Sequence, residues 1–144
     1  MNRTKIERLL IGSLVISLIT VFLINQYIES KIPKYPLIFP GELNSVINEL
    51  QGYHWEQKKI TEKYIKLSKD NDNCFVFFKG TQATNVTIEL SNPTQEIYNS
   101  CVKSLDDEGY QNIYNYDNSE FYYKNKRTVM IWKAKEILTL TFKN

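Results

Sequence analysis

The stretch Leu9–Ile24, LLIGSLVISLITVFLI, runs for sixteen residues without a charge and divides the chain into two parts. With Tyr27 and Ile28 the apolar column reaches about twenty residues, which at ~1.5 Å per residue matches the ~30 Å hydrocarbon core of a bilayer. The stretch therefore predicts a single transmembrane helix within residues 1–30.

Basic residues beside this stretch predict its orientation. Arg3, Lys5 and Arg8 precede it, whereas Lys31 and Lys34 follow it at a greater distance. By the positive-inside rule, the N-terminus then stays in the cytoplasm and the rest of the chain lies outside it. A cleaved signal peptide is the alternative, but the apolar run is long for a signal sequence and the following residues form a poor cleavage site. We therefore expect a retained, single-pass anchor in the inner (cytoplasmic) membrane of a bacterium, with the domain in the periplasm.

Residues 31–40 form a proline-rich connector, because three prolines in this segment fix φ and forbid a continuous helix. Residues 37–39, Leu-Ile-Phe, are too apolar for a free linker. We expect them to pack against the domain or the bilayer, the alternative being a contact with another membrane protein. Residues 41–144 then form one extracytoplasmic domain of ordinary size. The chain after Ser30 holds 15 basic and 14 acidic residues, a balance that offers no charge argument for binding nucleic acid.

The predicted fold class of the domain is α+β, with one antiparallel sheet packed by two helices in the order αβββαββββ. Gly41–Gln51 shows helical spacing of apolar residues, and Gly52 is placed to end this helix in a left-handed conformation. The second helix follows the Asn-Pro pair at residues 92–93 and ends at Gly109. Alternation and turn residues predict seven strands. They are Thr61–Ser68, Cys74–Phe78, Asn85–Leu90, Asn112–Tyr116, Glu120–Tyr123, Thr128–Lys133 and Ile137–Phe142.

Residues that carry chemistry are few and scattered. His54 is the single histidine of the chain, and the two cysteines form no short metal-binding spacing. The sequence has no glycine-rich phosphate loop and no nucleophile elbow. We therefore predict no catalytic residue, no cofactor and no metal site. The competing hypothesis is a small-ligand sensor or enzyme built around His54, with Glu56, Asp70 or Asp72 beside it.

Cys74 and Cys101 are predicted to face the same helix–sheet interface. Cys101 lies on the apolar side of the second helix, and Cys74 is in phase with the apolar residues of its strand. A disulfide between them is one interpretation in a chain exported from the cytoplasm. Two buried free thiols are the other.

Aromatic residues are dense between Tyr110 and Tyr123, where six of fourteen positions are aromatic. Tyrosine and tryptophan are enriched at protein interfaces, although they also form cross-strand pairs over a core. Neighbouring residues of a strand point to opposite faces, so at least one of Tyr122 and Tyr123 is left for solvent or a partner. The candidate partner-binding residues, including the basic ones beside these strands, are Tyr114, Tyr116, Tyr122, Tyr123, Trp132, Lys124, Lys126 and Arg127.

The sequence therefore favours a non-catalytic, membrane-anchored module that binds a protein outside the cytoplasm. In its most concrete version, the module is an immunity-type inhibitor of a toxic effector. An accessory subunit of an envelope secretion or assembly complex is the alternative within the same class. Both versions rest on the architecture and not on a motif.

Overall fold

The computed structural model describes residues 3–31 and 34–144, and the chain divides into two units at Pro33. The first unit is helix α1, Arg3–Lys31, whose 29 residues span about 43 Å. Val21, Phe22, Leu23 and Ile24 point in four directions about 100° apart, and all four are exposed. Judged on the described residues, none of the helices combines the length and apolar character that crossing a bilayer requires. The transmembrane helix expected from the sequence is therefore not shown and remains a prediction.

The second unit, Lys34–Asn144, is an α+β domain with two helices and an eight-stranded antiparallel open sheet among its described residues. The helices are α2, Leu43–Gly52, and α3, Gln95–Asp107. The strands are β1 Glu56–Ile60, β2 Tyr64–Lys69, β3 Asp72–Lys79, β4 Gln82–Ser91, β5 Gln111–Tyr116, β6 Ser119–Lys124, β7 Arg127–Lys133 and β8 Ile137–Lys143. Their order across the sheet is β1-β2-β3-β4-β8-β7-β6-β5. The α+β class, the antiparallel sheet and its two helices are thus confirmed.

The element order differs from the prediction at β1. The domain reads αββββαββββ, because Glu56–Ile60 forms an outer strand that the sequence did not indicate. All five residues of β1 are exposed, so the strand lacks the apolar alternation by which a half-buried strand is recognised. β2 accordingly begins at Tyr64, and Thr61 belongs to the turn, where its hydroxyl accepts a hydrogen bond from the Tyr64 amide.

One face of the sheet carries the core. Directly paired residues share a face, and the registers link Leu67, Cys74, Ile88, Leu140 and Ile131 into one row of buried side chains across five strands. The buried residues of α2 and α3 belong to the same core cluster as this row. Both helices therefore cover this face, called the helix face below. The opposite, open face is covered by no element within residues 34–144.

The domain consists of two similar halves, α2 with β1–β4 and α3 with β5–β8. Each strand of the second half begins 55 residues after its counterpart, and the helices α2 and α3 end at Gly52 and Asp107 with the same separation. The strand order is symmetric about the β4–β8 pair. A β-bulge recurs between Gln57 and Lys59 in β1 and between Asn112 and Tyr114 in β5. The fold is therefore an internal repeat with an offset of 55 residues, which changes to 54 beyond Thr84, an extra residue of β4 that has no equivalent in β8.

The helices α2 and α3 also end with equivalent hydrogen bonds. The Trp55 amide donates to the Leu50 carbonyl at 3.1 Å, and the Tyr110 amide donates to the Leu105 carbonyl at 2.9 Å. His54 and Gly109 occupy the left-handed position before these aromatic residues, with φ of 67° and 77°. The left-handed residue after α2 is therefore His54, and the prediction of Gly52 for this position was wrong.

The connector is partly integrated into the domain. Residues 1, 2, 32 and 33 lie outside the described residues, so part of the expected connector and of the expected N-terminal segment is not described. From Lys34 onward the chain belongs to the compact unit. Ile38 is buried in the core, and the Phe39 ring stacks on Tyr110 with 5.6 Å between ring centroids.

Cys74 and Cys101 are both buried in the core cluster as free thiols. The shared helix–sheet interface expected from the sequence is therefore present, but the disulfide interpretation is not: the structure contains no bridge between them. Burial raises the pKa of each thiol to about 12. Neither group is therefore a thiolate at neutral pH.

Candidate protein-binding face

The open face of the second half is aromatic and carries one charged strand residue, Lys143 of β8, which pairs with Thr128 in the row of Tyr123. Registers place Met130, Phe121 and Tyr114 in one row, and Trp132, Ser119 and Tyr116 in the next. Threonines of β8 and β7 and Tyr123 of β6 complete the surface. We call its aromatic part, Tyr114, Tyr116, Phe121, Tyr123 and Trp132, the aromatic face.

Four side chains of the aromatic face are well exposed, and the Tyr114 ring contacts two of the other rings. Tyr114, Tyr116, Tyr123 and Trp132 are between 38% and 67% exposed. The Tyr114 and Tyr116 rings lie nearly parallel, with 6.3 Å between their centroids and 5° between their planes. Phe121 approaches Tyr114 at 5.9 Å. These contacts restrict the rings before any partner arrives, which lowers the entropy lost when they are buried.

The open face of the first half is different. Tyr64 contacts Phe75 and Phe77, each with 5.7 Å between ring centroids, and all three rings are half-buried. The Lys66 ammonium lies 5.6 Å from the Phe75 ring centroid, and Glu89 places a carboxylate in this half. The first half therefore offers charged and partly covered side chains where the second half offers exposed aromatic ones.

The structure separates the eight predicted partner-binding residues into two groups. Tyr114, Tyr116, Tyr123 and Trp132 come together on the open face. Sequence reasoning left out Phe121 and Met130 of the same face, although their alternation with Tyr122 and Ile131 is a usable signal.

Tyr122 lies in the core and is only 4% exposed, which removes it from any partner surface. Its hydroxyl donates to one oxygen of Glu120 at 2.8 Å, and the Tyr98 hydroxyl of α3 donates to the other at 2.6 Å. Burial, followed by the contact with Glu120, raises the pKa of Tyr122 to about 12 and that of Tyr98 as well. The half-buried carboxylate thus ties α3 to β6.

The predicted basic residues lie away from the aromatic face. The Lys124 ammonium donates to the Glu108 carbonyl and lies 5.7 Å from the Tyr110 ring centroid. The Arg127 guanidinium lies 4.8 Å from the Phe39 ring centroid. Lys126 is an exposed turn residue with φ of 70°.

A groove of about 640 Å³ contains two of these cations on the helix side, together with Lys34, Tyr35 and Phe39. Lys34 forms an ion pair of 3.0 Å with Asp107, and this contact holds the pKa of the Asp107 carboxyl below its usual range. The three cations of the groove thus have contacts within the domain.

Three of the four residues in the competing His54 hypothesis lie around one pocket, and the fourth, Asp72, does not. His54, Glu56 and Asp70 line a shallow pocket of about 340 Å³, whereas the Asp72 carboxylate accepts a hydrogen bond from the Ser91 amide at 2.8 Å. Glu56 already forms an ion pair of 2.6 Å with Lys58. Within residues 3–31 and 34–144, no three His, Cys, Asp or Glu side chains are grouped so that they hold a metal ion.

The fold and its surface define the domain as an α+β unit with one uncovered, aromatic sheet face. Comparison with protein-family models, with curated proteins and with solved structures finds no match for this chain.

Proposed function

We propose that this chain is a non-catalytic module, anchored in the inner membrane, that binds another protein outside the cytoplasm through the aromatic face. The observation that carries the proposal is the composition of that face: exposed tyrosines and a tryptophan with no charged residue among them. The cores of protein interfaces are enriched in aromatic residues and methionine and depleted in charge. Exposed rings clustered in this way are also where binding energy concentrates.

The proposed membrane anchor is supported by the sequence of Leu9–Ile24 and by the exposure of the apolar side chains that the structure describes between Ile11 and Ile24. A helix that is apolar on all sides is stable only when those sides are buried. A bilayer provides such burial, and the basic residues before the helix favour an N-terminus in the cytoplasm. Carbonate extraction of membranes and protease treatment of intact spheroplasts test this part. We expect membrane retention and a domain that the protease reaches from outside.

An immunity-type inhibitor is the most concrete version of this function, and an accessory subunit of an envelope complex is the alternative. Replacing residues 1–30 by an unrelated anchor distinguishes them. An immunity-type domain should keep its protective activity after the exchange, because its binding surface lies in the domain. Loss of activity with normal export contradicts that version and favours the accessory subunit.

Site-specific photocrosslinking tests the binding face itself. A photoreactive phenylalanine analogue is placed at Tyr123 or Trp132 in the full chain, and the control carries it at Ser68, the first-half counterpart of Tyr123. We expect one discrete adduct in membranes from the aromatic positions and none from Ser68. Trp132→Ala should weaken the adduct formed at Tyr123 at least tenfold, since a buried aromatic residue at an interface contributes about 2 kcal/mol. Equal adducts at all three positions, or none, contradict the proposal.

A small-ligand function around His54 is a second candidate, supported only by the pocket that His54 shares with Glu56 and Asp70. These three side chains are exposed, so water screens their interactions and leaves little to tune them for catalysis. His54→Asn keeps a residue that tolerates the left-handed conformation. Unchanged protective activity in this variant counts against the candidate.

A further inference from the structure

The two outer strands of the sheet, β1 and β5, each pair with one neighbour only. An outer strand presents unpaired backbone N–H and C=O groups along its free side. Natural proteins protect such edges with charges, prolines, bulges or covering elements, because an unprotected edge pairs with another strand. How each edge of this sheet is protected therefore indicates whether it is meant to stay free.

β1 carries the usual protection and β5 does not. The sequence of β1, EQKKI, contains Glu56, Lys58 and Lys59. The sequence of β5, QNIYNY, contains no charge and no proline, and its side chains Ile113, Tyr114 and Tyr116 are more than half exposed. The bulges lie at equivalent positions of the two strands, so they do not account for the difference.

We propose that β5 is a self-association edge at which two copies of this chain pair, β5 to β5 and antiparallel, into one continuous sheet. In a twofold interface, the same surface of each copy meets itself, so a charged strand repels its own copy. β5 is the outer strand that meets this requirement, since its polar side chains are uncharged amides and hydroxyls. Pairing of β1 with β1 about its central residue would place Lys58 opposite Lys58 of the second copy.

The expected dimer is weak in dilute solution. Six residues per copy bury well below the roughly 1,200 Å² of a standard interface, because each large side chain contributes on the order of 100 Å². Tethering in a membrane raises the local concentration of both copies, so a weak contact suffices there. Tyr123 and Trp132 lie on inner strands and stay free for the protein partner proposed above. The inference thus goes beyond the proposed binding of that partner and does not depend on it.

A cysteine scan tests the pairing directly. Single cysteines replace Ile113, Tyr114, Asn115 or Tyr116 in the full chain, and the matched controls Lys58→Cys, Lys59→Cys and Ile60→Cys occupy the first-half counterparts. Purified protein in detergent is oxidised and run on a non-reducing gel. The native thiols are buried, so the background is low. A disulfide needs two Cα atoms about 4.4–6.8 Å apart. In a twofold antiparallel pair, a residue lies this close to the same residue of the second copy only near the twofold axis.

We expect one β5 position to form covalent dimer at least tenfold faster than its neighbours and than every β1 position. No preference for β5 over β1, or efficient mixed disulfides between a β1 cysteine and a β5 cysteine, overturns the proposal. A second measurement is light scattering against protein concentration. Asn115→Lys should abolish dimer formation, whereas Ile60→Lys, its counterpart in β1, should leave it unchanged. Circular dichroism establishes that both variants fold, and a dimer that survives Asn115→Lys contradicts β5 pairing.

Discussion

The two halves of the domain share most of their buried positions and differ in their exposed ones. At an offset of 55 residues, Leu50 and Leu105 are both buried, as are Cys74 and Val129. On the open face and at the edge the correspondence ends. The counterparts of Tyr114, Tyr116, Phe121, Tyr123 and Trp132 are Lys59, Thr61, Lys66, Ser68 and Phe77.

This difference separates the requirements of the fold from those of binding. Both halves need apolar side chains under a helix, because burial of that surface stabilises the domain. Neither half needs exposed tyrosines for stability, and their accumulation in the second half is the observation on which the proposed interaction rests. The halves also supply matched pairs of positions, and each prediction below compares one such pair.

The largest effect is expected in the core shared by the two halves. Leu50→Ala and Leu105→Ala each remove a fully buried side chain, and each should lower the free energy of unfolding by about 2–5 kcal/mol. Because β4 and β8 join the halves into one sheet, we expect a single urea transition in both variants. Tryptophan fluorescence reports one half through Trp55 and the other through Trp132. Separate transitions for the two signals would show that the halves unfold independently.

Glu120 is a polar feature of the second half, and its counterpart in the first half is the buried Ile65. Glu120→Ala removes the acceptor of the Tyr98 and Tyr122 hydroxyls and should destabilise the domain by about 1–3 kcal/mol. Glu120→Gln keeps a carbonyl acceptor and should cost less. Urea unfolding measures both, and an equal loss in the two variants would contradict the role given to these hydrogen bonds.

The buried thiols predict a loss of stability at alkaline pH. Each native pKa, about 12, lies above the ordinary value of 9.0, so the folded state keeps its proton where the unfolded state loses it. The contribution of the two protonated thiols to stability is therefore fully present below about pH 9, and it is lost as the pH rises towards 12. At pH 10 both thiols are largely ionised in the unfolded chain and protonated in the folded one, and this difference destabilises the fold.

The other half indicates a matched substitution for each cysteine, since Val46 corresponds to Cys101 and Val129 to Cys74. The double variant Cys74→Val and Cys101→Val should lose less stability than the parent chain between pH 7.5 and pH 10, and its remaining loss comes from buried or half-buried tyrosines such as Tyr98 and Tyr122, whose pKa values are also raised. The parent chain should lose stability over this interval. The same slope in both proteins would assign the alkaline loss to the buried tyrosines alone.

The smallest effect concerns the left-handed residues after the two helices. Gly109→Ala introduces a Cβ with no clash, since its nearest neighbour is the Lys124 ammonium at 3.9 Å. Backbone strain alone should then cost about 1 kcal/mol. His54→Gly makes the opposite change and should alter stability by less than that, because relief of strain is offset by a more flexible unfolded chain. Thermal unfolding measures both, and a neutral Gly109→Ala would contradict the assignment of strain.

Much of the domain could be predicted from local patterns. Helical spacing identified α2, and alternation bounded by short turns identified β5 to β8, because half-buried elements place apolar residues with a definite period. The Asn-Pro pair located the start of α3 only approximately, since Thr94 is the N-cap and Asn92 lies before it with φ of 50°. β1 was missed because a strand exposed on both faces has no such period.

The repeat leaves only a weak signal in the amino-acid sequence. At an offset of 55 residues, Asn44 and Ser45 match Asn99 and Ser100, and Lys69 matches Lys124. These identities are too few to reveal the repeat, because a core accepts different apolar side chains of suitable volume and most other positions differ. The repeat became clear from strand bounds, bulges and registers, which depend on backbone geometry.

The candidate face shows the same limit most clearly at Tyr122 and Tyr123. The sequence by itself determined that neighbouring strand residues point to opposite faces, that aromatic residues concentrate in the second half, and that Leu9–Ile24 is apolar and uncharged. Only the tertiary structure decided that Tyr122 lies inside and Tyr123 outside, and that β5 lies at an uncharged edge. The physical reason is that strand register and strand order follow from long-range backbone pairing, whereas alternation and composition are local properties of the chain.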